Sequence, residues 1–351
     1  KDKYGGTVVA ISMGPPQADE VLKKALGMGC DESVLLSDRA LGGADTLATG
    51  YPLAKAAEKI GGSDLLICGR HATDAETAQT GPIIAAFLGI PQVTLCGEVE
   101  IEDGWAICER LLPDRTEKVK VRLPALITVC AEANEPRYPT PINIMKALKK
   151  PRYTWNAEDL GCDPGMIGIP GSPSSNKRIF EPPKRNTDFR ILLRGRARGH
   201  RQGHRRRTRS RAHHIRRRIP MTKEECKGIW VFAEQENGVL SGTDFELLAK
   251  AHDLKEKLGG TDTVTAVLLG DNVAGLSDTL YAYGAEQVIL AENANLKDYS
   301  ARPYEKVLVD LANKYKPSIF LFAASPIGRD VAPRVMCDLR TGLTADAIDL
   351  D

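Results

Sequence analysis

The sequence lacks any apolar run near the roughly 20 residues that a membrane-spanning helix needs, and no signal-peptide pattern is visible at its start. It has eight cysteines (Cys30, Cys68, Cys96, Cys108, Cys130, Cys162, Cys226 and Cys337) but no CxxC pair. That absence argues against a zinc site or a disulfide framework. Thiols set in apolar runs such as LLICGR and ITVC read as buried, reduced groups of a cytoplasmic, bacterial-type protein. Neither a G-x-G-x-x-G fingerprint nor a Walker pattern occurs.

What is present suits a globular chain: 351 residues, 42% hydrophobic and 27% charged, enough for two domains that each bury a core. The first residue is Lys1, and KDKYGG reads as a helix end stopped by glycine, so part of the N-terminus is expected to be missing.

Charge is unevenly spread. Residues 185–220 carry 14 Arg, no Lys, four His and the single acid Asp188, a balance of +13 in a chain of net charge +2. Three readings are open. The tract could be a basic arm on phosphates. It has no Lys and only Phe189 for stacking, which disfavours nucleic acid. It could be a disordered linker. It also has the Arg, Gly, Ser and His bias of GC-rich DNA read out of frame, running into a new start at Met221. Its histidines offer no metal site, because Gly195, Gly199 and Gly203 break any helix that would align His200 with His204.

On either side of the tract, short apolar strands alternate with amphipathic helices. In the first part TVVAIS, SVLLS and LLICG read as strands. Helices are expected over Gln17–Met28, from an Asp45 cap to about Ile60, and over TGPIIAAFLG. VEIEDGWAICERLL and VKVRLPALITVC read as an antiparallel extension, and the Pro- and Gly-rich 151–184 as a surface wrap. In the second part GIWVFAE, VTAVLLG, QVILAE and SIFLFAAS read as strands. Thr243 with Glu246 predicts a capping box, and Leu247, Ala251, Leu254 and Leu258 predict a buried helix face. Further helices are expected near 274–284, near 303–315 and from Gly328 to about Gly342.

The two parts resemble each other. GMGCDESVLLS lines up with AYGAEQVILAE, setting Gly29 over Gly284 and Leu35 over Leu290, and LLICG follows at the same offset as FLFAA. The fold class expected is α/β: two related, doubly wound, mostly parallel-sheet domains, joined by a disordered basic segment.

Open parallel sheets hold ligands beyond the carboxyl ends of their strands. LLICG delivers the chain into RHATDAETAQTGP and a helix. Thr77, Gln79, Thr80 and Gly81 therefore lie near a helix start, where hydroxyls and free N–H groups can hold a phosphate. Gly81 would permit a close backbone approach. Met13 ends the first strand, and Asp45, Thr46 and Thr49 end the loop after the second. Three loops on one rim make a nucleotide pocket; taken singly, each is accounted for by a turn or a capped helix.

ISMGPPQADEVLKKALGMG, SDRALGGADTLATGYPLA, DAETAQTGPIIAAFLGIPQ and NEPRYPTPINIMKALKK together resemble the β subunit of electron-transfer flavoproteins, over residues 1–184. GIWVFAEQ, TAVLLG, GRDVAPRV and LTADAIDLD resemble the N-terminal domain of the α subunit, over 221–351. The resemblance implies domains of adenine nucleotide α-hydrolase-like build. It implies a β-type pocket that holds AMP or, in electron-bifurcating members, a second FAD. To that pocket it assigns Met13, then Asp74, Ala75, Glu76, Thr77, Ala78 and Gln79, and in the helix Thr80, Gly81, Pro82, Ile83, Ile84 and Ala85. Asp45, Thr46 and Thr49 join it in the bifurcating type.

The segment that docks flavin-dependent dehydrogenases of the acyl-CoA dehydrogenase type resembles Ala133–Lys150. Asn134, Glu135, Pro136, Arg137, Tyr138, Ile142 and Met145 are its contacts, Tyr138, Ile142 and Met145 as apolar anchors and Arg137 as orienting charge. Pro141 stands where mitochondrial relatives carry an anchoring Leu. The β-type part lacks the family's opening strand, and the α-type part stops before the domain that holds the redox-active FAD. The resemblance thus implies an electron carrier rather than an enzyme on its own. It is normally a heterodimer with a partner subunit, here an incomplete β/α fusion that does not bind the redox FAD alone. The alternative is an adenine-nucleotide-binding sensor without a redox role.

Overall fold

The chain begins its regular structure with β1 (Val9–Met13), and the computed structural model describes residues 1–72, 76–175, 226–345, 347 and 350. The Arg-rich tract lies outside these described residues. Helix α1 (Asp19–Met28) buries Leu22 and Leu26, while Asp19 and Glu20 both pair with Lys23 on its outer face. Gly29, at φ 129°, stops it, a conformation that glycine adopts without strain. After β2 (Glu32–Leu36), the Asp45 carboxylate accepts the Ala48 N–H and starts α2 (Thr46–Lys59). Then come β3 (Leu65–Gly69), α3 (Thr80–Phe87), β4 (Gln92–Glu102), β5 (Trp105–Leu111), β6 (Thr116–Arg122), β7 (Ala125–Val129), α4 (Pro141–Ala147) and β8 (Arg152–Trp155).

These strands form two sheets, β1-β2-β8 and β3-β7-β4-β5-β6. The first is all parallel, and in the second only β5 and β6 run antiparallel to their neighbours. Two expectations need correction. VKVRLPALITVC is not all antiparallel extension: ALITV enters as β7 between β3 and β4, parallel to both, where an unbroken apolar run suits a strand covered on both faces. The wrap after 151 begins with a real strand, β8, paired to β2.

The second part opens with β9 (Ile229–Ala233), buried at all five positions. It continues with the ribbon β10 (Gln235–Glu236) and β11 (Val239–Leu240), then α5 (Gly242–Lys257), β12 (Val264–Gly270), α6 (Ser277–Ala282), β13 (Gln287–Glu292), α7 (Ala301–Tyr315), β14 (Ile319–Leu321) and α8 (Pro326–Leu339). The sheet order is β13-β12-β9-β14, all parallel. Ile229, Val231 and Ala233 pack toward Leu248, Ala251 and Leu254 of α5. Trp230 and Phe232 pack toward Tyr304 and Leu308 of α7 on the other face. Helices on both faces make this sheet doubly wound.

Three further readings shift. The capping box of α5 is Ser241 with Asp244, not Thr243 with Glu246. The buried face accordingly carries Leu248 rather than Leu247, and Leu258 is exposed at the C-cap. SIFLFAAS contributes only the three-residue β14, because the chain turns immediately into the Ser325 cap of α8.

Gly29 and Gly284 both stop helices at positive φ just before equivalent strands, β2 and β13. The strand plan repeats with one difference. In the second part β9 lies between β12 and β14; among the described residues no strand lies between β1 and β3. The two parts meet along α3 and α8, where Leu47, Ile83 and Ala86 pack on Met336 and Cys337. Each fully buried Leu, Ile or Met side chain contributes roughly 1.5–3 kcal/mol.

Candidate nucleotide-binding site

Strands β1 and β3 belong to separate sheets, and both border one crevice. Crevices beyond the carboxyl ends of parallel strands are where open α/β sheets bind ligands. Here it is a cleft of about 3400 Å³, lined by both strands, by the first turns of α2 and α3, and by 341–345 from the second part.

Both oxygens of the Asp45 carboxylate are engaged by the fold. One oxygen accepts the Ala48 N–H at 3.0 Å and the other the Ser174 N–H at 3.0 Å, while its own N–H donates to Ser172 Oγ at 2.8 Å. Asp45 therefore holds the 172–174 segment across the rim. The Thr46 hydroxyl donates to Gln79 Oε1 at 2.5 Å, tying the start of α2 to the start of α3. Gln79 is only 2% exposed and makes no capping bond to α3. Among the described residues no side chain caps the first N–H groups of α3, and Thr80 and Gly81 stand on the cleft wall. A helix start with free N–H groups is electropositive and suits a phosphate. Arg70 and His71 line the same cleft, with His71 Nε2 at 3.7 Å from Glu76 Oε1.

The loop into α3 is strained. Glu76 and Ala78 sit at φ 55° and 57°, each costing on the order of 1 kcal/mol for a non-glycine residue. Ten residues, 70–79, join β3 to α3, whereas only 322–325 join β14 to α8. In the shorter connection the Glu234 carboxylate accepts the Ser325 hydroxyl at 2.7 Å and also bonds the Gly328 N–H, so an acid of the chain itself holds that helix start. Among the described residues the start of α3 has no such acid.

Of the expected pocket residues, Asp45, Thr46, Thr49, Thr77, Ala78, Gln79, Thr80, Gly81 and Ile84 line the cleft. Met13 packs with Val34 and Leu36 in the core. Glu76 points out toward His71. Pro82, Ile83 and Ala85 are buried in helix packing, and Asp74 and Ala75 lie outside the described residues. Gly81 also has a packing reason to be small. A Cβ there would stand 2.7 Å from Thr128 Cγ2, so the missing side chain lets α3 seat closely on β7.

Sequence reasoning missed Arg70, His71, the 172–175 strap and the 341–345 tail. Arg70 and His71 stood in the polar loop already singled out. The tail is brought in only by packing between the two parts.

Burial pushes the Cys68 thiol, on the cleft wall, up to about 11, far from a reactive thiolate. No cluster of His, Cys, Asp or Glu among the described residues could hold a metal ion.

The expected docking segment is exposed. Tyr138 is 91% accessible, Ile142 65% and Met145 70%. Arg137 pairs with Asp2 at 2.7 Å, and the Asn134 side chain donates to the Glu135 carbonyl; Glu135 and Pro136 are open to solvent. No helix of the described residues is long and apolar enough to cross a membrane.

The family model described as electron transfer flavoprotein domain matches residues 1–160 and 229–351. Over 186 residues the chain is 46% identical to the Caffeyl-CoA reductase-Etf complex subunit CarD of Acetobacterium woodii, covering 53% of this chain and 71% of that one. It is 46% identical over 178 residues to the electron transfer flavoprotein subunit beta of Clostridium acetobutylicum, covering 51% and 68%. It is 38% identical over 202 residues to the acryloyl-CoA reductase electron transfer subunit gamma of Anaerotignum propionicum, covering 56% and 75%. With both of its parts matched by one family model, the chain belongs to the electron transfer flavoprotein domain family.

Proposed function

We propose that the chain serves electron transfer as a joined pair of flavoprotein subunit segments. Residues 1–184 act as the β-type nucleotide-binding domain, 221–351 as the N-terminal domain of the α type, and 185–220 join them. The cytoplasm is the proposed location. The observation that carries this reading is the start of α3 on the cleft, which no side chain among the described residues caps and which the Thr46–Gln79 bond locks to α2.

In this reading the adenylate phosphate rests on the N–H groups of Thr80 and Gly81, with Arg70 supplying charge. Thr46 and Thr49 offer hydroxyls to a larger dinucleotide, so the same cleft takes AMP or, in a bifurcating protein, FAD. A bound flavin supplies the electron-carrying chemistry, and the chain's own residues bind and orient it. The redox FAD of a complete heterodimer requires segments beyond these residues. The exposed Tyr138, Ile142 and Met145 present apolar anchors to a flavin dehydrogenase or reductase.

Chromatography of the nucleotide released on denaturation, with the visible spectrum of the native chain, tests this. One adenylate per chain, without a full complement of redox flavin, is expected. A chain with neither bound adenylate nor affinity for AMP or FAD contradicts it. AMP binding with no affinity for any flavin dehydrogenase returns the sensor reading.

A further inference from the structure

Helix α1 carries no basic residue in its last turn, although a helix C-terminus is electronegative and gains from a cation there. Its end is a Schellman turn. The Cys30 N–H donates to the Ala25 carbonyl at 3.2 Å, and the Gly29 N–H to the Leu26 carbonyl at 3.3 Å. The cation comes from far along the chain. The Lys150 ammonium donates to the Leu26 carbonyl at 3.0 Å and also to the Cys30 carbonyl, from a half-buried position.

Lys150 closes the expected docking segment. Helix α4 of that segment has seven residues, too few to keep a helical shape in water without packing. Only Ala147 of the seven is buried. Thr140 caps the start, accepting the Asn143 N–H at 3.2 Å. The segment is seated on α1 at two points. At one, Gly27 permits a close approach: a Cβ there would stand 3.2 Å from Pro139 Cβ and 3.9 Å from Ile144 Cγ1. At the other, Lys150 grips the end of α1. Ile142 and Met145 lie between the two fastenings and stay open to solvent, as do Lys146 and Lys149.

Exposed anchors bind more tightly when they are held in the bound shape before the partner arrives. We infer that Lys150 is a positioning residue for partner docking: by holding the C-terminal carbonyls of α1 it sets the pose in which Tyr138, Ile142 and Met145 meet a flavin dehydrogenase. The inference rests on the docking role proposed above for those three residues. It divides the lysines of KALKK, residues 146–150, by task. Lys146 and Lys149 offer charge to a partner. Lys150 uses its charge inside the chain and acts on the partner only through α4.

The test compares Lys150→Met, Lys150→Arg and Lys149→Met in the full chain. Amide hydrogen exchange is followed at 143–150. Affinity for a flavin-dependent acyl-CoA dehydrogenase is measured by surface plasmon resonance at several salt concentrations. Lys150→Met should speed exchange at 143–150 by about tenfold or more, the scale of one hydrogen bond to a charged group. Exchange in β12, at 264–270, should not change. Affinity should fall by about fivefold or more with its salt dependence unaltered, because a smaller share of the chains is competent to dock. Lys150→Arg keeps the charge and the donors and should restore both. Lys149→Met should do the opposite, leaving exchange unchanged but slowing association and flattening the salt dependence. Lost affinity without faster exchange, or faster exchange with affinity intact, overturns the inference, and so does failure of Lys150→Arg to rescue. Tyr138→Ala and Met145→Ala with full affinity would overturn the docking reading itself, and the role of Lys150 with it.

Discussion

The Asp330 carboxylate of α8 accepts a 2.7 Å hydrogen bond from the Gln92 side-chain amide of β4, joining positions 238 residues apart. Thr94 Oγ1 donates to the same carboxylate oxygen at 3.0 Å, and the Tyr299 hydroxyl donates to the other at 2.8 Å. Arg334 donates to the Gln92 carbonyl at 2.8 Å and pairs with Glu305 at 2.5 Å. Burial pushes the Tyr299 hydroxyl well up and the Glu305 carboxyl up, the latter opposed by Arg334. This buried network crosses between the two parts of the chain.

Breaking one member of such a network leaves its partners buried and unpaired. Asp330→Ala should cost about 3–5 kcal/mol of stability in urea unfolding. A double-mutant cycle with Gln92→Ala should give a coupling of roughly 0.5–3 kcal/mol. Additive effects would mean the two parts do not communicate through this pair.

Gly50 sits where α2 crosses α3, and a Cβ there would meet Ile83 Cγ2 at 2.4 Å. Gly50→Ala should therefore destabilise by about 1–3 kcal/mol despite alanine's better helix propensity. The pair Gly50→Ala with Ile83→Val should recover part of that loss. A stabilised single variant would show that the crossing is looser than described.

Burial pushes the Glu234 carboxyl up to about 7, against the lowering pull of Ser325 and Gly328. Burial also raises Asp244 to about 7, where Glu234 adds to the rise and the Glu234 and Ser241 N–H bonds oppose it. A carboxyl whose folded pKa is raised favours folding most when protonated. Its contribution is full below about pH 4 and is lost as pH rises to about 7. Glu234→Gln should keep the bonds to Ser325 and Gly328 and gain roughly 2–3 kcal/mol relative to the parent at pH 8, with no gain at pH 4. An equal effect at both pH values would show that Glu234 does not titrate in this range.

Tyr138 and Met145 are exposed, so Tyr138→Ala and Met145→Ala should change stability by less than about 0.5 kcal/mol. Each should weaken binding to a flavin dehydrogenase partner by roughly tenfold or more in surface-plasmon titrations. Unchanged affinity for both would move the docking face elsewhere.

Local patterns made much of this legible. The Asp45 cap, the α1 stripe at Leu22 and Leu26, and the Gly29–Gly284 correspondence are set within a few residues, and the structure has them. The position of β7 was not legible, because an apolar run such as ALITV suits any covered strand, and its neighbours are chosen by tertiary packing. The α5 cap shifted by two residues because Ser241, Thr243 and Asp244 all offer capping oxygens, and the buried Asp244 bond to Glu234 decides among them. At the cleft, the sequence order of Thr77 to Gly81 marked the helix start. That Asp45 is spent on Ser174, and that 341–345 closes the far wall, depends on segments far apart in the chain.

Calorimetric titration of the chain with AMP, beside Thr80→Pro, most directly tests whether the start of α3 holds an adenylate. The substitution removes one N–H at the cleft while keeping a residue compatible with a helix start. One site per chain is expected in the parent, with affinity lost by about tenfold or more in the variant. Equal affinity in the two, or no heat at any concentration from a folded parent, contradicts the account.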